Sequence, residues 1–136
     1  MKIAVIDGMG GGIGAQIVSR LRQVVKNPHQ LIALGANATA TAVMVKSGAD
    51  VGATGENAIT VTVPQVDIVV GPVGIIIPNS LMGEITPSIA TIIASSSAVK
   101  VLIPVQQPHV ELVGFESRPL SAILDDLAAR VADFFK

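Results

Sequence analysis

Lys2-Ile3-Ala4-Val5-Ile6-Asp7-Gly8-Met9-Gly10-Gly11-Gly12-Ile13-Gly14-Ala15 decides how this chain is read. An apolar run closes on an acid, and five glycines in seven positions follow before a helical pattern begins. Lys2 to Asp7 has the continuous apolar character of a buried parallel strand. From Gly12 or Ile13 onward, Ile13, Ile17, Val18, Leu21, Val24 and Val25 fall at helical spacing, with Asn27-Pro28 as the stop. A glycine loop between a strand and a helix has a physical purpose. Glycines accept positive φ, let a ligand approach the main chain, and leave the first helical N–H groups free for an anion.

Two registers fit the loop. Gly10-x-Gly12-x-x-Ala15 matches the dinucleotide fingerprint in its G-x-G-x-x-A form. Gly8-x-x-x-Gly12-Ile13-Gly14 resembles the glycine pattern of short-chain dehydrogenases, and the run is also similar to the loop of bacterial tubulin-like GTPases, which need a far longer chain. Gly8, Gly10, Gly11, Gly12, Ile13 and Gly14 are therefore the expected ligand-binding positions. The competing reading is a turn whose glycines serve close packing. Two departures limit the chemistry. The acid expected on ribose hydroxyls at the end of the second strand is absent, and that position reads Gly35-Ala36-Asn37, with no arginine nearby for a 2′-phosphate. The chain also has no tyrosine, which excludes the usual Tyr-x-x-x-Lys dehydrogenase pair. Asp7 is expected to bond within the loop in preference to holding a metal.

Outward from the loop, strands and helices alternate. Leu31 to Leu34 reads as a strand ended by Gly35, and Ala36 to Lys46 as a helix ended by Ser47-Gly48. Ile59 to Val63 alternates like a third strand, and Gly52 to Ala58 like a polar loop. Asp67 to Val70 is a strong strand closed by Gly71-Pro72, followed by a helix from about Pro87 to Ser95 and a strand from Val99 to Val105. His109 to Gly114 is expected to be a short edge strand. Pro119 suits a helix start, and Leu120, Ile123, Leu124, Leu127, Val131, Phe134 and Phe135 form one stripe. The expected fold is α/β: a single three-layer Rossmann-like domain, residues 1–136, with a mostly parallel sheet.

Composition agrees. Val and Ile make up 35 of 136 residues, and half the chain is apolar. A formal charge of −1 excludes a globally basic nucleic-acid binder, and no aromatic residue before Phe115 offers a stacking platform. Without cysteine there are no disulfides, zinc thiolates or thiol nucleophiles. With two histidines a His-rich metal site is excluded as well. No apolar stretch reaches the ~20 residues of a membrane helix, so a cytoplasmic protein is expected. Between Ser47 and Ser117 stand six acids and one base, Lys100, so any phosphate there must rely on main-chain N–H groups.

In a parallel sheet the glycine loop, Asn37, the Gly71-Pro72 turn and the Gln106 segment share the carboxyl ends of the strands, where open α/β sheets bind ligands. Asn37, Gly71 and Pro72 join the expected cofactor-binding set. Glu56, Asn57, Asn79, Ser80, Glu84 and His109 are the remaining polar groups there. Each also has an ordinary role: Thr86 and Ser88 as helix caps, Asn57 and Asn79 in turns, Glu84 near a helix N-terminus.

Val5 to Gly14, Ile32 to Ala38, Gly52 to Ile59, Gly71 to Ile75, Asn79 to Pro87 and Leu102 to Val105 together resemble a family of short bacterial Rossmann-like proteins classed as a domain of unknown function. The resemblance implies a nucleotide-binding-like fold in a bacterial cytosol and no particular reaction. The leading expectation is a binder of a nucleotide or dinucleotide, with NAD or NADP first and other nucleotides open. The alternative is a non-enzymatic homo-oligomer that binds a small anion or a protein. Only 14% of the chain is charged against a typical ~25%. A homodimer is therefore expected around Ile75 to Ile85, with the C-terminal helix, placing Glu84 near the partner's site.

Overall fold

The computed structural model describes residues 1–105 and 109–136. Five strands, β1 (Lys2–Asp7), β2 (Gln30–Gly35), β3 (Val51–Thr54), β4 (Ile68–Pro72) and β5 (Val99–Ile103), form one parallel sheet in the order β3-β2-β1-β4-β5. Five helices connect or cover them: α1 (Gly12–Leu21), α2 (Ala38–Lys46), α3 (Glu56–Thr62), α4 (Pro87–Ser95) and α5 (Leu120–Asp133). β1 lies at the centre, in register Ile3↔Leu31 with β2 and Ile3↔Ile68 with β4.

The pleat sorts the strands into two cores. Ile3, Val5, Leu31, Ala33, Ile68 and Val70 pack under α1, α2 and α5 through Ile17, Leu21, Met44, Leu124, Leu127 and Val131. Ala4, Ile6, Ile32, Leu34 and Val69 face α3 and α4 through Ile59, Ile89 and Ile93. This is the three-layer architecture that strands buried on both faces require.

Three local expectations are corrected. Ile59 to Val63 is helical, because Ile59 and Val63, four apart, are the buried pair while Val61 stays exposed. The third strand is instead Val51–Thr54. A Cβ on its Gly52 would lie 2.5 Å from Val45 Cγ2 and 2.9 Å from Thr41 Cγ2, so small residues let α2 sit close. His109 to Gly114 is not a strand. His109 and Gly114 have φ of 58° and 93°, which breaks an extended run, and Val113 is fully exposed. Helix α1 also stops at Leu21, earlier than its apolar spacing suggests, and Val25 reaches the core from the turn that follows.

The segment on which a dimer was expected divides between core and surface. Ile75, Leu81 and Ile85 are buried in the second core, Ile76 and Ile77 are half-buried, and Pro78, Asn79, Met82 and Gly83 are exposed.

Candidate functional site

Chain order runs β1, β2, β3 in one direction across the sheet and then returns to β4 on the other side of β1. The reversal makes a topological switch point at the carboxyl ends of β1 and β4, the position where ligands of open α/β sheets bind. The glycine loop leaves β1 on one side of it. Gly71 and Pro72, both buried, end β4 on the other.

The loop glycines divide into two groups. A Cβ at Gly8 would lie 2.7 Å from Glu84 Oε1. One at Gly11 would lie 2.7 Å from Ala40 Cα, and one at Gly14 would lie 2.6 Å from Met44 Sδ. Those three are glycine because something already presses on them, and Gly11 also needs its φ of 75° as N-cap of α1. Gly10 and Gly12 are different: a Cβ there meets nothing within 4 Å. They face open space. Gly14 N–H donates to Asp7 Oδ2 at 2.7 Å and Gly11 N–H to Gly8 O at 2.9 Å. The N–H groups of Gly10, Gly12 and Ile13 have no acceptor among the described residues. Gly12 and Ile13 open α1, at the positive end of its dipole, where an anion is favoured. The Ile13 side chain packs against the first core.

Asp7 sits beneath this loop, 1% exposed, and its Oδ1 finds no hydrogen-bond partner among the described residues. Buried polar atoms are rarely left so. Burial pushes its carboxyl above the ordinary carboxylate range against the opposing Gly14 and Gly8 N–H groups, and the charge of Glu84 adds to the rise. A raised native value means that the folded chain holds a proton the unfolded chain has lost. Stability therefore falls as pH rises from about 4, the unfolded value, to the native one, and is level above it. Asp7→Asn removes that slope, so the variant should gain on wild type across this window. Melting temperatures in a series of buffers check it, and a difference constant with pH would refute it.

Asn37 does not point into free space. Its Oδ1 accepts from Ala40 N–H at 2.8 Å and caps α2, while its Nδ2 lies 2.7 Å from Glu84 Oε2 and 2.8 Å from Met9 O. Glu84 Oε1 also accepts the Met9 N–H. The carboxylate arrives from a tight segment in which Asn79, Leu81, Met82 and Gly83 all have positive φ. Such backbone is costly for Leu and Met and gathers at functional sites. Ser80, buried, anchors the segment by donating to Gly74 O.

Glu56 lies apart from the loop, bonded by the Thr86 hydroxyl that caps α4. Asn57 and His109 are exposed. Gln106 falls outside the described residues. Two open clefts, of about 560 Å³ between β5 and α5 and about 830 Å³ near Met1, His29 and Asp67, do not include the glycine loop. Chemistry, not concavity, singles out the loop.

Comparison with known proteins adds the following. The model of the domain-of-unknown-function family DUF3842 matches residues 2–136, and the chain belongs to that family. No curated protein matches. Among solved structures, the "dodecameric FMN-dependent Ubix-like Decarboxylase from Escherichia coli O157:H7" is similar at a TM-score of 0.53 and 16% identity, over 99% of this chain and 94% of that one. At that identity the likeness concerns the fold. No helix among the described residues is long and apolar enough to cross a membrane.

Proposed function

We propose that this protein binds a nucleotide-type ligand whose phosphate rests on the N–H groups of Gly10, Gly12 and Ile13. The observation that carries the reading is the division of the glycines. Packing explains Gly8, Gly11 and Gly14, whereas Gly10 and Gly12 are bare beside N–H groups without acceptors. The orphaned Oδ1 of Asp7 in the same place is a second sign of an unfinished polar site.

One cradle of three N–H groups suits one phosphate, which favours a mononucleotide over NAD or NADP. The similar fold described as FMN-dependent makes FMN a natural first candidate. The residues fit it as far as the phosphate: an N–H cradle and open space above it. Bound there, a flavin would supply redox or adduct chemistry, while this chain's own residues orient the phosphate.

The test is a thermal-shift series with FMN, FAD, NAD, NADP, ATP and GTP, together with mass spectrometry for a co-purified ligand. A ligand at 100 times its Kd should stabilise the fold by ~2.7 kcal/mol. No shift from any of them at millimolar concentration would reject the nucleotide reading in favour of a small-anion or protein binder.

A further inference from the structure

We infer that Glu84 is the residue that recognises the hydroxyls of the sugar, or sugar alcohol, that joins the ligand's phosphate to its ring. The inference rests on the phosphate site proposed above and names a further part of the same site.

In dinucleotide folds an acid at the end of the second strand accepts hydrogen bonds from ribose hydroxyls. Here β2 ends in Gly35-Ala36-Asn37, without an acid. Yet a carboxylate stands at that place. Glu84 comes from the segment after β4, and the Asn37 amide, immediately past β2, holds its Oε2 at 2.7 Å. Met9 N–H holds Oε1 from the loop side. Two anchors from two different elements fix both oxygens.

An ionised carboxylate offers about four lone-pair sites. Met9 and Asn37 occupy two of them, which leaves acceptor capacity for a pair of hydroxyls. The placement is also selective. Glu84 touches the loop at Gly8 and Met9, upstream of the bare N–H groups of Gly10, Gly12 and Ile13. A Cβ at Gly10 or Gly12 would meet nothing within 4 Å, so the carboxylate leaves the space beside those two glycines open. This anion repels a second phosphate and accepts only from donors, so it selects hydroxyls. The structure spends strain on this placement: Leu81 and Met82, at φ of 54° and 56°, take backbone conformations that such side chains rarely adopt, and Gly83 follows at 87°. A Cβ at Gly8 would lie 2.7 Å from Glu84 Oε1 and would push the carboxylate from this seat.

The experiment titrates wild type and Glu84→Gln with inorganic phosphate, FMN, AMP and 2′,3′-dideoxy-AMP, by calorimetry or thermal shift. Glutamine keeps an oxygen for Met9 N–H, and comparison among ligands cancels any general loss of fold. Phosphate and dideoxy-AMP should bind both proteins within about twofold, since neither presents the hydroxyls. FMN or AMP, whichever binds wild type, should bind the variant at least about tenfold more weakly, as loss of hydrogen bonds to a charged group implies. Equal losses for all ligands, or none for FMN and AMP, would overturn the hydroxyl role and leave the phosphate site standing. Tighter phosphate binding by the variant would overturn it too, because Glu84 would then be a plug. If none of the four binds wild type, the phosphate site itself falls and this inference with it.

Discussion

Gly12→Val should fold as wild type does and lose binding of any phosphate-bearing ligand by at least roughly a hundredfold. A hundredfold loss is about 2.7 kcal/mol, within reach of removing two hydrogen bonds to a charged group. The fold is spared because the new Cβ meets nothing within 4 Å, and Gly12 is not among the positive-φ positions. The ligand is not spared, since the branched side chain enters the space above the Gly12 and Ile13 N–H groups. Gly11 would be a poor choice for this test. Its φ of 75° and the nearby Ala40 backbone would unsettle the helix start and confuse the result. Melting temperature and ligand titration on the same sample separate the two effects. Unchanged affinity in a folded Gly12→Val would place the ligand elsewhere.

Gly71→Ala should have the opposite character: a stability loss of about 3 kcal/mol, at the upper end of the usual cost of overpacking. Its Cβ would lie 2.5 Å from Ile6 O and 3.0 Å from Ile75 Cδ1. The first is main chain of the neighbouring central strand, which cannot rotate away as a side chain can. β1 and β4 would have to part at their carboxyl ends, at the switch point. Urea unfolding measures the cost, and a midpoint within error of wild type would show that the sheet yields there. Gly71 was expected to face the ligand, but the contacts that demand a glycine there come from Ile6 and Ile75. Its part in the site is to let the two strands lie close.

The glycine loop, both flanking elements and the strong strands at Ile3–Ile6 and Ile68–Val70 were legible because local pattern and tertiary environment agree there. Ile59-Thr60-Val61-Thr62-Val63 was not. Its strict alternation is a strand signal, yet Gly55, with φ of 98°, starts a helix that needs only Ile59 and Val63 inward. Val51-Gly52-Ala53-Thr54 lacks the bulky residues that announce a strand, since the close approach of α2 demands small ones. In the site, the glycines and Asn37 could be named from the sequence, but not their division of labour. Nothing local distinguishes Gly10 from Gly11; the difference is made by Ala40, from the second helix. Glu84 was visible as one of several polar residues at the strand ends and near a helix, without its partners. Its seat depends on four positive-φ residues between Asn79 and Gly83 and on Asn37, 47 positions away.

The central place of β1 also carries a kinetic consequence. Its β2 partners lie about thirty residues downstream, whereas its β4 partners begin at Ile68. Closing the longer loop costs only roughly 0.6 kcal/mol more for each doubling of length, so the delay is one of synthesis and search, not of equilibrium. Until β4 is available, a nascent chain holding β1 to β3 presents the unpaired flank of Ile3, Ala4 and Val5 to its surroundings. Such a bare parallel edge is an aggregation template. The arrival of Ile68–Pro72 therefore both seals that flank and completes the switch point beside the glycine loop, so the proposed ligand site and protection from misassembly depend on a single step.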